Sequence, residues 1–563
     1  MVSLNLFSNN APCDTVCGRP DTQEEQSTAN VFEHAYRHLA DYRNICQVYY
    51  VRAYEKQNPE IDAWANDLLK TLWTATTVRD PEQCPKIEYD NDTTTSSLPA
   101  LPPKPELDKI LTAVILIHIA SAKGYSARTR AFLPRIGTVD ESAIVHTLKN
   151  PDDVLKKAQK EADAAKDQQA EAGAAWRTAG MAAGAVAGGV LIGVTGGLAA
   201  PLVGAGFSAI LGAVGLGGTA AGILVTALAG SSVVCGSLFG AYGAHRTSTM
   251  IGRHTKDVHD LAIVPVYPPK DTLAIRLCVS GWLNVKDDVV NPWKFFDESQ
   301  DTFALQWEVD ALLELSDALV ALLKDKAVGY IKKEIIRRTV LASLFASLSP
   351  VAYLQIGKII DNPWSNAQAL AVKAGRVLGI LLSQRVLGTR PVTLTGYSLG
   401  SLVIFEALKY LSSLPSSQTT HLIDSAYLFG LPTSTRDVAS WKKVRSVVSG
   451  RLVNGWVEPE EDYVLAILSR ATMLAEGSWG VAGLAPVQVM GIENVKCEGV
   501  EGHLKWIGMV GKCLEKSGAN GIVKQEVENK ATDVGKQLEM IRDEAEKVPE
   551  SATAKEVLGA EDK

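Results

Sequence analysis

Cysteine is scarce in this sequence of 563 residues, and an excess of basic residues is lacking. Its eight cysteines are too widely scattered for a disulfide framework, and several lie in apolar runs, where a buried free thiol is the usual outcome. Cys13 and Cys17 have a four-residue spacing, but no nearby His/Cys pair completes a site, so we expect no metal and no other cofactor. Acidic residues outnumber basic ones, 63 to 56, which argues against nucleic acid as a partner.

A targeting segment is also lacking at the N-terminus. No basic start is followed by an apolar stretch long enough for a signal peptide, so we expect no secretion and a folded part that faces the cytosol. Apolar residues make up 46% and charged residues 21% of the chain, which is typical of folded proteins. A chain of this length exceeds one ordinary core, so several structural units are expected.

Residues 178–244 contain no charged side chain, and 18 of them are glycines. About 20 apolar residues suffice to cross a bilayer as a helix, and small residues recur here at the spacing that lets membrane helices pack. Arg177 on one side and His245 with Arg246 on the other flank the segment. Basic residues at both ends favour an even number of passes or a re-entrant hairpin over three spans, with both ends on the cytosolic side. The alternative is a soluble helical hairpin that packs on the rest of the protein.

The remaining patterns divide the chain into regions of different character. We predict a disordered N-terminus at 1–28, a helical N-terminal domain at 29–150, a charged helix or coiled-coil spacer at 151–177, the Gly/Ala-rich helical hairpin at 178–244, an α/β domain at 260–518 with a helical insertion at about 318–362, and a charged, exposed C-terminal helix with a tail at 523–563. Protein partners are expected on the N-terminal helices and the charged C-terminal helix.

Short β-rich runs alternate with helical ones from residue 260 onward. We predict strands at 273–280, 302–307, 392–397, 425–430 and 451–457. Apolar strands alternating with helices indicate a mostly parallel sheet that is covered on both faces. The insertion carries apolar stretches beside a basic cluster, as a lid or an interfacial helix would, although an amphipathic helix docked on the sheet fits equally well.

The stretch Gly396-Tyr397-Ser398-Leu399-Gly400 follows an apolar run and precedes a helical pattern. Strand, sharp turn and helix are the context in which a Gly-x-Ser-x-Gly motif exposes a nucleophilic serine. Gly396 and Gly400 leave room where the strand and the helix crowd together. The alternative is a structural serine in a loop.

A serine hydroxyl needs a base, and the base needs an acid to orient it. On α/β-hydrolase folds these residues follow in the order serine, acid, histidine. Only His421 and His503 lie beyond Ser398, and His421 comes too soon to leave room for the acid, so we predict His503 as the base. We choose Asp462 as the acid because it directly precedes a helical run; the alternative is an ordinary acidic helix N-terminus.

The negative charge of a transition state also needs hydrogen-bond donors. We predict the backbone N–H of Leu399, which follows the nucleophile, and a second N–H from the stretch CVSGWLN. Gly281 or Trp282 would supply that second donor, and the choice between them stays open.

Several motifs occur in order along the chain. They are VSGWL (279–283), NPWKFF (291–296), LQWE (305–308), TGYSLGSLVIFEAL (395–408), W-x-x-V-R-S-V-V-x-G-R-L-V-N (441–454) and V-E-G-H-L-x-W (500–506). Over residues 100–515 the chain resembles the transmembrane and coiled-coil domain-containing protein 4-like α/β hydrolases, which include membrane-associated lipases. The resemblance implies an α/β-hydrolase fold with Ser398, Asp462 and His503 as its triad, on a protein with a membrane hairpin. Extra acidic residues before Asp462 depart from the expected pattern and leave Glu461 as a second choice.

The combined expectation is a serine ester hydrolase of the lipase type that works at a membrane through an acyl-enzyme intermediate. One rival is a membrane-tethered scaffold or trafficking protein with an inactive hydrolase fold. Another is a soluble thioesterase or peptidase with the hairpin folded onto the domain.

Overall fold

The computed structural model describes residues 23–76, 81–89, 91–151, 230–239, 258, 260–318, 350–459, 461–462, 464–466, 468–469, 480–500 and 502–546. Three predicted features lie wholly or mostly outside these ranges: the charged spacer, the glycine-rich hairpin except for residues 230–239, and the insertion over residues 319–349. Cys13, Cys17 and the tail after residue 546 lie outside them as well. Among the helices in the described ranges, none is both long enough and apolar enough to cross a membrane.

The helices are numbered in chain order: α1 (Gln23–Tyr54), α2 (Pro59–Thr76), α3 (Lys104–Ala122), α4 (Ala127–Phe132), α5 (Glu141–Lys149), α6 (Ser231–Phe239), α7 (Pro350–Ser383), α8 (Leu399–Ser413), α9 (Ser416–Thr419), α10 (Val438–Val447), α11 (Trp506–Lys516) and α12 (Lys524–Glu546). The strands are β1 (Ala262–Pro265), β2 (Ile275–Val279), β3 (Asp301–Gln306), β4 (Val392–Tyr397), β5 (Ile423–Phe429), β6 (Leu452–Trp456) and β7 (Ile492–Lys496). Short 3₁₀ turns connect several of them.

The chain forms two compact units, each assembled from separate segments. The first comprises Met1–Ile45, Ile61–Gly124 and Phe132–Gly236, and the second comprises Cys46–Glu60, Tyr125–Ala131 and Ser237–Lys563. The predicted boundaries at residues 150 and 260 therefore miss two short segments, which belong to the second unit.

The regular secondary structure in the described part of the first unit is helical. The apolar stretch of α3 buries Ile110, Val114 and Ile119 completely, as its composition predicts for a core helix. The rings of Phe32 and Trp73 meet edge to face, with centroids 5.0 Å apart. The prediction of disorder up to residue 28 is wrong for the last six residues of that range, because α1 begins at Gln23 with residues that favour a helix.

The second unit contains a seven-stranded sheet in the order β1-β3-β2-β4-β5-β6-β7. Only β1 runs antiparallel to its neighbour, β3; every other neighbouring pair is parallel. All residues of β2 and β5 are buried, because helices cover both faces of the central strands. The predicted mostly parallel α/β arrangement is confirmed.

The central strands end level with one another. Val279 at the end of β2 pairs with Gly396, and Tyr397 at the end of β4 pairs with Phe429. Since carboxyl ends of parallel strands share one edge of a sheet, the segments that follow β2, β4 and β5 meet there. Ser398 is the first residue beyond β4.

The charged helix α12 is not the fully exposed helix that the sequence predicts. Val527 and Val534 are buried, with 0% and 7% exposure. A Cβ added at Gly508 or Gly511 of α11 would lie within 3 Å of these valine side chains, so two glycines allow the helices to pack closely. A stripe of apolar residues thus packs this otherwise charged helix against α11.

Candidate active site

Ser398 occupies a sharp turn between β4 and α8. Its φ angle is +54°, a left-handed value that costs energy for a residue with a side chain. The turn is held by two bonds to the carbonyl of Phe429, one from the Ser398 N–H at 2.8 Å and one from the Ser401 hydroxyl at 2.9 Å. Neighbouring structure therefore maintains the strained backbone that presents the Ser398 side chain.

Three glycines allow the segments around this turn to approach one another. A Cβ at Gly400 would lie 2.1 Å from the carbonyl oxygen of Val279, and a Cβ at Gly396 would lie 2.8 Å from Ile404. A Cβ at Gly281 would lie 2.1 Å from the Gly400 nitrogen and 2.4 Å from the Leu399 nitrogen. The backbone after β2 thus lies directly against the first residues of α8.

The structure brings Ser398, His503 and Asp462 together in one hydrogen-bonded chain. Ser398 Oγ lies 2.7 Å from His503 Nε2, and His503 Nδ1 lies 2.8 Å from Asp462 Oδ2. Ser398 and Asp462 are 0% exposed, and His503 is 2% exposed. With Asp462 accepting the Nδ1 proton, Nε2 is left to accept the proton of Ser398.

Asp462 is held as a carboxylate by its surroundings. Burial alone would raise its pKa, but the charge of His503 and hydrogen bonds from His503, Leu465 N–H and Trp506 bring the pKa below its ordinary value. Glu461, the second choice from sequence, instead accepts a bond from the Glu458 backbone N–H at 3.1 Å. Of these acidic residues, Asp462 is the one that contacts the imidazole.

His503 stands at the start of a 3₁₀ turn that leads into α11. Gly502 before it has a φ angle of +99°, which favours glycine, and its N–H donates to the carbonyl of Glu461. The Trp282 ring packs edge-on against the imidazole, with centroids 5.5 Å apart. The Gly502 backbone and the Trp282 ring thus both restrict where the His503 imidazole lies.

The segment after β2 is fixed by buried hydrogen bonds. Tyr397 Oη donates to the carbonyl of Trp282 at 2.8 Å, and Trp307 Nε1 donates to the carbonyl of Ser280 at 3.0 Å. Burial raises the pKa of Tyr397, so its hydroxyl stays protonated and able to donate. Gly281, between these anchored carbonyls, lies beside the Leu399 nitrogen.

Trp506 is a member of the site that sequence reasoning missed. Its indole Nε1 donates to Asp462 Oδ2 at 2.9 Å, the same oxygen that contacts His503. A Cβ at Gly430 would lie 2.9 Å from the Trp506 ring, so the glycine after β5 makes room for it. The one available signal was the V-E-G-H-L-x-W run, in which Trp506 follows His503 by three residues.

Residues 174–520 match the model of a family described as a protein of unknown function, DUF726. The chain belongs to this family. The matched range contains every residue of the site described above. The family description itself assigns no activity.

Three relatives are similar to this DUF726 member over about half of its length. An uncharacterized membrane protein of Schizosaccharomyces pombe is 36% identical over 305 residues, which is 52% of this chain and 51% of the relative. The transmembrane and coiled-coil domain-containing protein STS1 of Oryza sativa subsp. japonica is 33% identical over 57% of this chain and 49% of its own. The probable lipase MIL1 of Saccharomyces cerevisiae is 34% identical over 54% of this chain and 28% of its own.

The chain thus spans about half the length, or less, of these relatives. No solved structure matches the chain.

Proposed function

We propose that the chain is a serine hydrolase with an α/β-hydrolase fold that cleaves lipid or other acyl ester bonds. The observation that carries this proposal is the hydrogen-bonded chain from Ser398 through His503 to Asp462. It lies at the carboxyl edge of a mostly parallel sheet, on a strained turn, and the three residues follow in the order expected of that fold.

The geometry supports a two-step acyl transfer. Ser398 Oγ attacks the ester carbonyl while His503 Nε2 takes its proton, and the ionised Asp462 stabilises the imidazolium. The Leu399 N–H, with an N–H of Gly281 or Trp282, would bind the oxyanion. His503 then protonates the departing alcohol, leaving an acyl-enzyme. Water attacks this ester in the second step, again through His503, and releases the acid and the free Ser398 hydroxyl.

A lipid ester at a membrane is the proposed substrate. One relative is named a probable lipase and another a membrane protein, and residues 178–244 of this chain carry no charged side chain. We place the catalytic unit on the cytosolic face of that membrane, consistent with the flanking arginines. Because Ser398 is 0% exposed, neighbouring side chains must move before an ester reaches it.

The test is covalent labelling of the purified full chain with a fluorophosphonate, with and without phosphatidylcholine vesicles, alongside ester hydrolysis. Ser398→Ala should abolish labelling and lower turnover by roughly 10³-fold or more. Ser417→Ala, which alters an exposed serine on α9, should leave both unchanged. Labelling that persists in Ser398→Ala, or equal turnover by the two variants, contradicts the proposal.

The rivals predict different results in the same samples. An inactive scaffold predicts that the wild-type chain neither reacts with the fluorophosphonate nor turns over ester. A soluble thioesterase predicts labelling at Ser398 in a chain that stays at the bottom of a vesicle flotation gradient. The proposed lipase should float with the vesicles and resist carbonate extraction.

A further inference from the structure

A cavity of about 440 Å³ lies in the second unit at the end of the sheet opposite to Ser398. Helix α8 begins directly after Ser398 and runs back along the sheet, so its last residues, Ser412 and Ser413, reach the edge where the parallel strands begin. These two serines line the cavity, together with residues from the ends of α1 and α10, from α9 and from α4. The cavity is therefore separate from the proposed catalytic centre.

Arg128 is the unusual residue of this cavity. It is 3% exposed, and its Nε has no hydrogen-bond partner among the residues that the structure describes. No carboxylate is among the described residues that line the cavity, while Lys56 adds a second positive charge. A buried charge without a counter-ion costs several kcal/mol in general, and no described residue supplies one here, so this arginine is suited to binding an anionic ligand.

The C-terminal ends of the neighbouring helices do not explain why Arg128 is buried here. A cation could serve to cap the C-terminal carbonyls of α8 and α10, but hydroxyl groups of the protein already do so. Tyr54 Oη donates to the carbonyl of Ser412 at 2.5 Å, Ser412 Oγ to that of Lys409 at 2.6 Å, and Ser446 Oγ to that of Lys443 at 2.7 Å. Within the described part of the chain, the guanidinium of Arg128 donates to none of these carbonyls.

Asn58 supplies a further donor. It is 2% exposed, and its Oδ1 accepts the Glu60 N–H at 3.1 Å, which turns the amide so that Nδ2 is the group left for a ligand. Nδ2 makes no hydrogen bond to another described residue. Two cations and an amide donor, with no acidic residue in the described lining, form a donor set suited to an oxyanion.

We propose that this cavity binds a phosphate monoester, with Arg128 contacting the phosphate and Lys56 closing the rim. A phosphate monoester carries a charge of about −1.5 to −2 at neutral pH, which matches two cations better than a single carboxylate does. Small-molecule sites are about 300–1,000 Å³ in volume, so this cavity also has room for a polar organic part beside the tyrosines Tyr50 and Tyr54. The same group occurs on soluble metabolites and on the headgroup of phosphatidic acid.

The test is calorimetric titration of the purified full chain with sn-glycerol 3-phosphate, using glycerol and acetate at equal ionic strength as controls. Arg128→Met should weaken binding by at least about tenfold, and Lys56→Met by a smaller factor. Arg128→Met should fold as well as wild type, since the removed charge has no partner among the described residues. The matched control is Arg130→Met, which loses an ion pair with Asp424 and should be less stable yet bind phosphate normally.

A second arm identifies the source of the phosphate. If the ligand is a lipid headgroup, adding phosphatidic acid to phosphatidylcholine vesicles should increase retention of the chain above that on phosphatidylcholine alone, and Arg128→Met should remove the increase. A soluble ligand predicts binding of glycerol 3-phosphate without such an increase. Absence of binding in both arms overturns the proposal, as does equal binding by Arg128→Met or a preference for acetate. Ser398→Ala should bind like wild type, so this result is independent of the proposed hydrolase activity.

Discussion

The carboxylate of Asp462 is the most heavily bonded group of the candidate site. Oδ2 accepts from His503 Nδ1 and Trp506 Nε1, and Oδ1 accepts from the Leu465 N–H at 3.0 Å. These donors outweigh the effect of burial and keep the pKa of the carboxyl below its ordinary value. A carboxylate fixed at both oxygens has one orientation available, and it presents that orientation to His503.

Trp506→Phe tests whether the indole positions the acid. The substitution keeps the ring and removes the N–H, so kcat for ester hydrolysis should fall about tenfold while KM stays constant. Trp441→Phe is the control, because its indole also donates from a buried site, to the carbonyl of Ser434, without contacting Asp462. An equal fall of kcat in both variants would reduce Trp506 to a general packing role.

The same variant has a signature in stability. Since the native pKa of Asp462 lies below the unfolded value of about 3.9, its contribution to stability is present above that pH and lost as the pH falls through the native pKa. Without the indole N–H, the native pKa of Asp462 lies closer to its unfolded value. Between pH 7 and pH 3, Trp506→Phe should therefore lose less stability in urea unfolding than the wild type loses.

Sequence reasoning identified Asp462 and His503 from their order and local context, but it had no means of finding Trp506. Order along the chain restricts a base and an acid because few histidines follow Ser398. An indole that bonds an acid 44 positions earlier belongs to no local pattern. Its role depends on how α11 packs under β5, which only tertiary structure determines.

At the scale of elements, the site depends on how closely the segment after β2 approaches the start of α8. Gly281→Ala would place a Cβ 2.1 Å from the Gly400 nitrogen, and its three nearest neighbours are backbone atoms that cannot rotate away. We expect a loss of about 1–3 kcal/mol in the free energy of unfolding and reduced fluorophosphonate labelling.

The control for this prediction is Gly535→Ala. Apart from the adjacent helix backbone, no described atom lies within 4 Å of a Cβ at Gly535 in α12, so alanine should stabilise that helix by about 0.5–1 kcal/mol. Urea unfolding measures both changes. If Gly281→Ala retains full stability and labelling, the close packing at Gly281 is unimportant for the site.

The sequence predicted the inner strands of the sheet correctly, but it did not predict the two edge strands, β1 and β7. The ends of the ranges predicted for β2 to β6 differ from the structure by at most two residues, because buried strands require β-branched and apolar side chains. β7 was missed, since its solvent-facing edge position lets it carry Glu493, Asn494 and Lys496. β1 was missed because four residues give too short a pattern.

At the scale of the whole molecule, the second unit depends on two segments that precede residue 260. The segment Tyr125–Ala131 is largely buried. The N–H of Tyr125 donates to the carbonyl of Thr389, and the N–H of Ala127 donates to the carbonyl of His421. Arg130 pairs with Asp424 at the start of β5. A linear scan of composition places the domain boundary at 260, because contacts between distant parts of a chain leave no mark in local composition.

The fragment 260–546 should therefore be markedly less stable than the full chain. It retains Ser398, Asp462 and His503 but exposes the surfaces that Tyr125, Ala127 and Tyr54 cover, and it leaves Asp424 without its arginine. We expect a deficit of at least about 3 kcal/mol in urea unfolding, together with weaker fluorophosphonate labelling.

Arg130→Met in the full chain isolates one of these contacts. Both partners of this ion pair are mostly buried, so its loss alone should cost about 2 kcal/mol, less than the whole deletion. A fragment that unfolds at the same urea concentration as the full chain, and labels equally, would show that residues 260–546 fold without the earlier segments. If the second unit is assembled from three chain segments, stability in urea should fall stepwise from the full chain through Arg130→Met to the fragment.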